Sequence, residues 1–271
     1  MITQINKLYN PPTPPVSVAE IKEHLHISTS AEDAYFLGLI NVATGFFEGY
    51  TKREILAKKF LLEGTEWEIK LPLEIVRSKC FQIDSFTYLY DGSWSTLSTD
   101  NYLLSPQNKW GILCAKSDFA GQSLDDDASP NFKVTFWAGF NAKQIASAVM
   151  LSGTITITTT LDHNYLTGQK VVITGANESY FNGTFTITKT GAKTFTYTTT
   201  GANATATGEM MSNDIPEDIK ECLKQIVAYL WASRGDCAGG GINFATIDLT
   251  DQTFPSAALA IMKQYRIYEI L

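Results

Sequence analysis

The stretch Asp214–Gly235, DIPEDIKECLKQIVAYLWASRG, decides the fold. Its apolar residues Ile219, Cys222, Leu223, Ile226, Val227, Leu230 and Trp231 recur at i, i+3, i+4, i+7 and i+8, which predicts an amphipathic helix with one wide buried face. Asp214 reads as its N-cap, Pro216 fits the first turn because no amide hydrogen is needed there, and Glu217 and Asp218 suit the positive end of the helix dipole. Arg234 suits the last turn and Gly235 the C-cap. The sequence neighbours cannot cover this face: a threonine-rich segment precedes it and a glycine-rich loop follows. Its partner must be remote, so the domain is discontinuous.

Two upstream helices carry matching faces. Ser17 and Glu20 form a capping box, and Val18, Ile21 and Leu25 repeat behind it. A second helix is expected from Thr29 or Ser30 to about Tyr50, with Phe36, Ile40, Phe47 and Tyr50 in one stripe and Leu39, Val42 and Phe46 beside it. Ile219, Leu223, Ile226 and Leu230 are expected to pack on Phe36, Ile40 and Phe47. A last helix opens at Pro255, with Ala258, Ile261, Met262 and Tyr265 on one face. Residues 1–16 end in PPTPP, which reads as a stiff extended leader.

From Ile55 the period changes to two. Lys59–Leu62, Trp67–Leu71, Phe81–Tyr90, Asn101–Leu104, Gly111–Cys114 and Lys133–Phe140 read as short strands, with Asp91-Gly92 as a hairpin turn. Residues 151–211 hold three lysines and three acids, and threonine dominates. TITITTT, KVVITG, GTFTITKT and KTFTYTTT alternate apolar residues with threonine between glycine and asparagine turns. Ile155, Ile157, Val171, Ile173, Phe185, Ile187, Phe195 and Tyr197 supply the inward side of some five strands in a small barrel or sandwich. The expected fold class is therefore α+β: a discontinuous helical-bundle domain with short antiparallel strands, from residues 1–140 and 212–271, interrupted at 150–211 by an all-β module whose ends lie close together.

The 271 residues carry a net charge of −7, with 44% hydrophobic and 12% aromatic residues. That composition is globular, and no basic stripe suits a protein that wraps nucleic acid. The longest apolar run, near Ile145–Leu151, is too short to span a bilayer, and MITQINKLYN lacks a signal-peptide pattern, so a soluble chain made in the cytoplasm is expected. Cys80, Cys114, Cys222 and Cys237 form no CxxC pair and have no histidine at zinc-ligand spacing, so free thiols are expected.

No hydrolase, metalloprotease, nucleotide-loop or EF-hand motif is present. His24 and His26 point to different sides of a helix and cannot share a metal. His163 sits in a turn of the β module. Asp125, Asp126 and Asp127 lack the alternating spacing of a calcium loop and read as solvated. Gly239-Gly240-Gly241 has no phosphate-loop layout. The reading is a structural or binding protein, not an enzyme, without cofactor or metal.

Several segments, in order, carry a resemblance: PPVSVAEIKEHLHIS (14–28), EDAYFLGLINVATGFFEGYTKREIL (32–56), IKLP (69–72), YDG (90–92), NYLL (101–104), VTFWAGF (134–140), IPEDIKECLKQIVAYLWASRG (215–235) and ALAIMKQYRI (258–267). The series resembles the head–tail connector, or adaptor, proteins of tailed bacteriophages. Those proteins show P-V-S-x-x-E-x-K-x-H-L, a helix ending E-x-Y-T-x-R, a strand ending A-G-Y or A-G-F, a helix opening I/V-P-x-D-[IL]-K and a final Y-R. The resemblance implies a virion protein of the neck, made in the host bacterial cytoplasm. It implies a homo-oligomeric ring, a dodecamer, beneath the portal protein, extending the DNA channel and docking a stopper or tail-completion protein. DNA would pass through without sequence-specific binding, and no membrane, cofactor or enzymatic activity is involved. The C-terminal helix and tail would reach the portal, with Tyr265, Arg266, Tyr268 and Leu271 as contacts; packing within the subunit is the alternative for these four.

The insertion departs from that family. HNYLTGQKVVITG followed by FNGTF is similar to small β modules of phage structural proteins, and the module is expected to project from the ring's outside. The rival reading is a virion accessory binding module acting through this insert on capsid, or on glycan through exposed Tyr165, Tyr180 and Phe181.

Overall fold

The structure is a computed structural model that describes residues 2–65, 68–69, 73–75, 80–105, 111–115, 122–125, 129–233 and 255–267. The chain forms two compact units: Met1–Pro11 with Leu56–Ala142, and Pro12–Ile55 with Lys143–Leu271. The expected α+β class is what the structure shows. A discontinuous four-helix bundle is interrupted by β-structure that includes an inserted, nearly closed barrel or sandwich.

In the first unit a five-stranded antiparallel sheet has the order Ile2–Tyr9, Lys58–Gly64, Phe132–Ala138, Cys80–Tyr90, Ser93–Thr96. Burial alternates along Lys58–Gly64. Phe60 stands directly opposite Phe136, their rings stacked at 5.5 Å, in a core with Leu62, Phe86 and Val134. The Asp91-Gly92 turn has both residues at positive φ, 50° and 70°, as a two-residue type I′ hairpin requires. Asp125 closes it: its carboxylate accepts the amides of Asp91 and Gly92 at 2.9 and 2.8 Å. Asp126 and Asp127 lie outside the described residues. Gly139 ends the VTFWAG strand for a steric reason, since a Cβ there would come within 2.8 Å of the Ala57 backbone.

The leader was expected to be a stiff extended arm over residues 1–16. Instead Ile2–Tyr9 is an edge strand on Lys58–Gly64, and only the proline-rich residues after it are a connector.

The second unit holds the bundle: α1 (Val18–Leu25), α2 (Asp33–Thr51), α3 (Glu217–Ala232) and α4 (Ser256–Tyr265). Ser17 and Glu20 make the capping box of α1, and His26 ends it in the left-handed conformation. The start of α2 is Asp33, not Thr29 or Ser30, because Thr29 spends its hydroxyl on the Ala31 amide in a tight turn. Lys22 pairs with Asp33 at 2.9 Å across that turn.

The α3 helix buries Ile219, Cys222, Leu223, Ile226, Val227 and Leu230, and packs on α1, α2 and α4. On α2 the buried residues are Phe36, Ile40, Ala43, Phe47, Tyr50 and Thr51. The two helices run antiparallel: Trp231, near the end of α3, lies 6.2 Å from Phe36 near the start of α2, and its indole donates to Glu32 at 3.4 Å. Asp214 is not the cap of α3. Pro216 occupies that position, and the Asp214 carboxylate accepts a hydrogen bond from the Gln169 amide side chain instead. Arg234 and Gly235 lie outside the described residues.

The β module is larger than the five strands expected. Its eight-stranded sheet has the order Gly183–Thr186, Lys170–Thr174, Met211–Asn213, Ala142–Leu151, Thr154–Thr159, Thr194–Thr198, Thr188–Lys189, with Ala204–Thr205 also on Ala142–Leu151. The two edge strands, Gly183–Thr186 and Thr188–Lys189, are separated in sequence by Ile187 alone, and Phe185 stacks on Tyr197 at 4.1 Å, so the sheet curls almost shut. Ile155, Ile157, Val171, Ile173, Phe181 and Phe195 fill the interior.

The chain's excursions from the bundle return close to where they leave. In the first sheet Lys58 pairs with Ala138, the entry strand beside the exit strand. In the second, Ala142–Leu151 neighbours Met211–Asn213. Among the described residues no helix is long and apolar enough to cross a membrane.

Two outcomes test this packing. Leu223 has no exposed surface, so Leu223→Ala should cost about 3 kcal/mol in denaturant unfolding, and Leu223→Asp should leave no cooperative transition. Excising residues 152–211 with a short linker should give a less stable product than excising 142–213. The shorter cut leaves the strand Ala142–Leu151, with its buried Ile145, Ala148 and Met150, without Thr154–Thr159 and Ala204–Thr205 and with only Ser212 and Asn213 of its other neighbour. Thermal melts of the two products decide it.

Candidate functional site

Three short motifs far apart in sequence meet at one end of the bundle: EGYTKR (48–53), IPEDIK (215–220) and YR (265–266). The last turn of α2 delivers Tyr50 and Thr51, and Lys52 then caps it in the left-handed conformation. The first turn of α3 delivers Asp218, and the last turn of α4 delivers Tyr265.

Tyr265 is the hub. Its phenol donates to Asp218 Oδ2 at 2.7 Å, its carbonyl accepts Arg53 Nε at 2.7 Å, and its ring lies 6.1 Å from that of Phe47. Arg266 sits over the Tyr50 ring at 4.9 Å, a cation–π arrangement. The Ile267 amide donates to the Thr51 carbonyl at 3.0 Å, and Thr51 turns its hydroxyl back onto the Phe47 carbonyl. Glu48 accepts the Ile55 amide at 3.0 Å, fixing the chain as it leaves α2. Further along α4, the Cys222 thiol faces the Ala258 carbonyl at 3.4 Å.

The charges follow from this geometry. Burial pushes the Tyr265 phenol up to about 12, helped by the bond to Asp218 and its negative charge, while the Arg53 charge acts the other way. Burial lowers the Arg53 guanidinium, and the neighbouring Tyr265 opposes this. A buried Lys220 pairs with Glu217 at 2.7 Å. The cluster is a lock: it holds the end of α4, and the direction in which the chain leaves it, to the ends of α2 and α3. It presents no nucleophile and base in register.

Of the four contact residues named from the sequence, Tyr265 and Arg266 therefore belong to this lock, with Arg266 exposed and Tyr265 half-buried. Tyr268 and Leu271 lie outside the described residues. The pairing of Tyr265 with Arg53 and Asp218 was not read from the sequence, although all three sit inside the motifs that carried the resemblance.

The stacking surface expected on the β module does not exist as drawn. Tyr165 is 2% exposed and bonds through its hydroxyl to Ser212 at 3.0 Å, and Phe181 is wholly buried. Both fill the barrel because their turns fold inward onto it. Tyr180 is half-buried, with its ring against Phe181. His163 is also a core residue. Its Nδ1 accepts the Tyr165 amide at 2.9 Å, so Nε2 carries the proton and faces the Thr194 carbonyl.

A cleft of about 300 Å³ lies where α1 begins beside the module, lined by Pro14, Ser17, Glu20, Lys170 and Thr184. Burial there would raise the Glu20 carboxyl, but bonds from Ser17 and from Lys170, at 3.2 Å, hold it below the usual carboxylate value. It is a structural ion pair at a helix cap. Among the described residues no group of three or more His, Cys, Asp or Glu side chains gathers to hold a metal ion. Cys80, Cys114 and Cys222 are free thiols; Cys237 and the Gly239–Gly241 run lie outside the described residues.

No protein-family model matches the sequence, and no curated protein matches it. Solved structures do match in fold. A chain in the neck of an empty GTA particle with C6 symmetry is 16% identical at a TM-score of 0.55, covering 99% of this chain and 98% of that one. A chain in the virion of the native gene transfer agent (GTA) particle gives 15% and 0.57 with the same coverage. One in the neck of the native GTA particle with C12 symmetry gives 14% and 0.53, again with the same coverage. The shared fold spans the inserted β module as well as the bundle.

The perturbed groups set an alkaline limit. Burial, aided by Asp218 and Glu221, takes the Cys222 thiol from 9.0 to about 12, burial takes Cys80 over the same interval, and Tyr265 moves from 10.0 to about 12. In each case the folded chain favours the protonated form. Stability is therefore complete below the unfolded values and falls as pH rises from 9.0 through about 12, because the unfolded chain releases protons that the folded chain keeps. Thermal midpoints followed by circular dichroism across that range should drop steadily. Tyr265→Phe should lower the neutral-pH stability by about 1 kcal/mol and shallow the slope above pH 10.0.

Proposed function

We propose that this chain is a structural protein of a particle neck: a head–tail adaptor that forms a ring beneath the portal, extends the DNA channel and docks the stopper or tail-completion protein. The observation that carries this reading is the fold correspondence over 99% of the chain with chains from GTA necks. The sequence motifs that resemble phage adaptors point the same way. The ring has twelve copies on this reading, in keeping with the C12 symmetry of one of those necks.

The physical properties suit the role. A channel wall must let DNA slide, and a net charge of −7 without a basic stripe gives the phosphates nothing to hold. Location is the virion neck, after synthesis in a bacterial cytoplasm. The role is architectural and non-enzymatic. The lock at Tyr265 fixes the end of α4, and Tyr268 and Leu271, which follow it in sequence, are the proposed portal contacts together with exposed Arg266. The β module lies on the outside of the ring. Glycan binding by that module loses its main support with Tyr165 and Phe181 buried.

Electron microscopy of the full chain mixed with the portal of its own particle tests the proposal. The expected result is a ring of added density under the portal, with the module at its periphery and an open axis. Portal particles that remain bare at saturating chain would overturn the adaptor reading.

A further inference from the structure

We infer that the outward face of α2 is the surface on which one copy of this chain docks against the next copy in the ring. This rests on the neck-ring reading above and names the partner of one particular face.

Only two of the nineteen residues of α2 are charged, Asp33 and Glu48. Asp33 is paired with Lys22 and Glu48 accepts the Ile55 amide, so both are engaged within the subunit. The inner face is buried in the bundle. Opposite it, Ala34, Gly38, Asn41, Val42, Gly45 and Gly49 are exposed. At about 100° per residue they fall in one sector roughly 100° wide, and at about 1.5 Å per residue they run for roughly 22 Å. Val42 is 41% exposed within this sector and Leu37 is 40% exposed beside it. A helix that faces water for good carries lysine and glutamate on that side; one that is apolar all round is covered.

The glycines sharpen the point. Glycine weakens a helix interior relative to alanine. A Cβ built at Gly38, Gly45 or Gly49 would meet nothing within 4 Å, so among the described residues packing inside the subunit gives no reason for any of them. What they supply is a bare backbone ridge that another body can approach closely.

Charge selects that body. Each copy carries −7, and a ring forces like-charged copies together, so the contact belongs where carboxylates are absent or engaged. DNA is a poor occupant, because this face offers phosphates no cation. Cyclic symmetry requires a face of this kind on every copy, turned towards a different surface of its neighbour. Chains of the same fold occur in necks of C6 and C12 symmetry.

The test uses the full chain with the portal of its particle. Gly45→Ala should raise the thermal midpoint of the free subunit, since the space is open. Gly38→Trp with Gly45→Trp should leave the helical signal and midpoint of the free subunit in place yet lower ring occupancy on the portal by about tenfold or more. Should that pair impair folding, Gly45→Cys with a thiol-activated photo-crosslinker gives the second readout. Cross-linking to another copy of the chain supports the inference. Cross-linking to the portal, to DNA or only within the same chain overturns it, as does normal ring assembly by a folded tryptophan pair; in these cases a ring still forms and the adaptor reading stands. A wild-type chain that forms no ring on the portal overturns both.

Discussion

Much of the buried face of α3 is covered by helices, α1 and α2, that left the ribosome long before it. That constraint governs the intervening chain, because whatever lies between Thr51 and Glu217 must end near where it began. Both intervening sheets meet it by the same device. Lys58–Gly64 and Phe132–Ala138 are hydrogen-bonded neighbours, as are Ala142–Leu151 and Met211–Asn213. An antiparallel or adjacent pairing of first and last strands makes an excursion of any length cost the bundle almost nothing in geometry. The bundle therefore tolerates β-structure of two different designs between its halves.

Much of this was legible because it is periodic. The stripes of α2 and α3 repeat at helical spacing, and the threonine-rich strands alternate cleanly, so their existence and burial follow from pattern alone. What escaped did so for local reasons. ITQINKLY has no two-residue alternation; Leu8 is 53% exposed, and the segment is a strand because the edge of Lys58–Gly64 offers it backbone partners. AKQIASAVML has a helix-favouring composition, and pairing on both sides overrides it. Tyr165 and Phe181 look like exposed turn aromatics, yet their turns fold inward, which composition cannot reveal. The DNA-channel neck reading owed more to motif order than to any single residue.

The lock at the end of the bundle gives those motifs a physical meaning. Tyr50, Arg53, Asp218, Tyr265 and Arg266 are spread along most of the chain but touch in the fold, through two hydrogen bonds of 2.7 Å and one cation–π contact. Residues that look like surface recognition elements in a linear reading are first of all ties that orient the C-terminal helix. The ties fix the end of α4, through Ile267, to the ends of α2 and α3.

The separation of α2 from α3 also has a consequence in time. A ribosome adds roughly 5–20 residues per second, so about 10–30 s pass between the emergence of α2 and that of α3. Throughout that interval α2 has α1 beside it but lacks α3 and α4 over its inner face. The nascent chain is at its stickiest while the two β excursions are still being made. The apolar inner face of α2 is therefore most open to wrong partners during synthesis, before α3 closes over it.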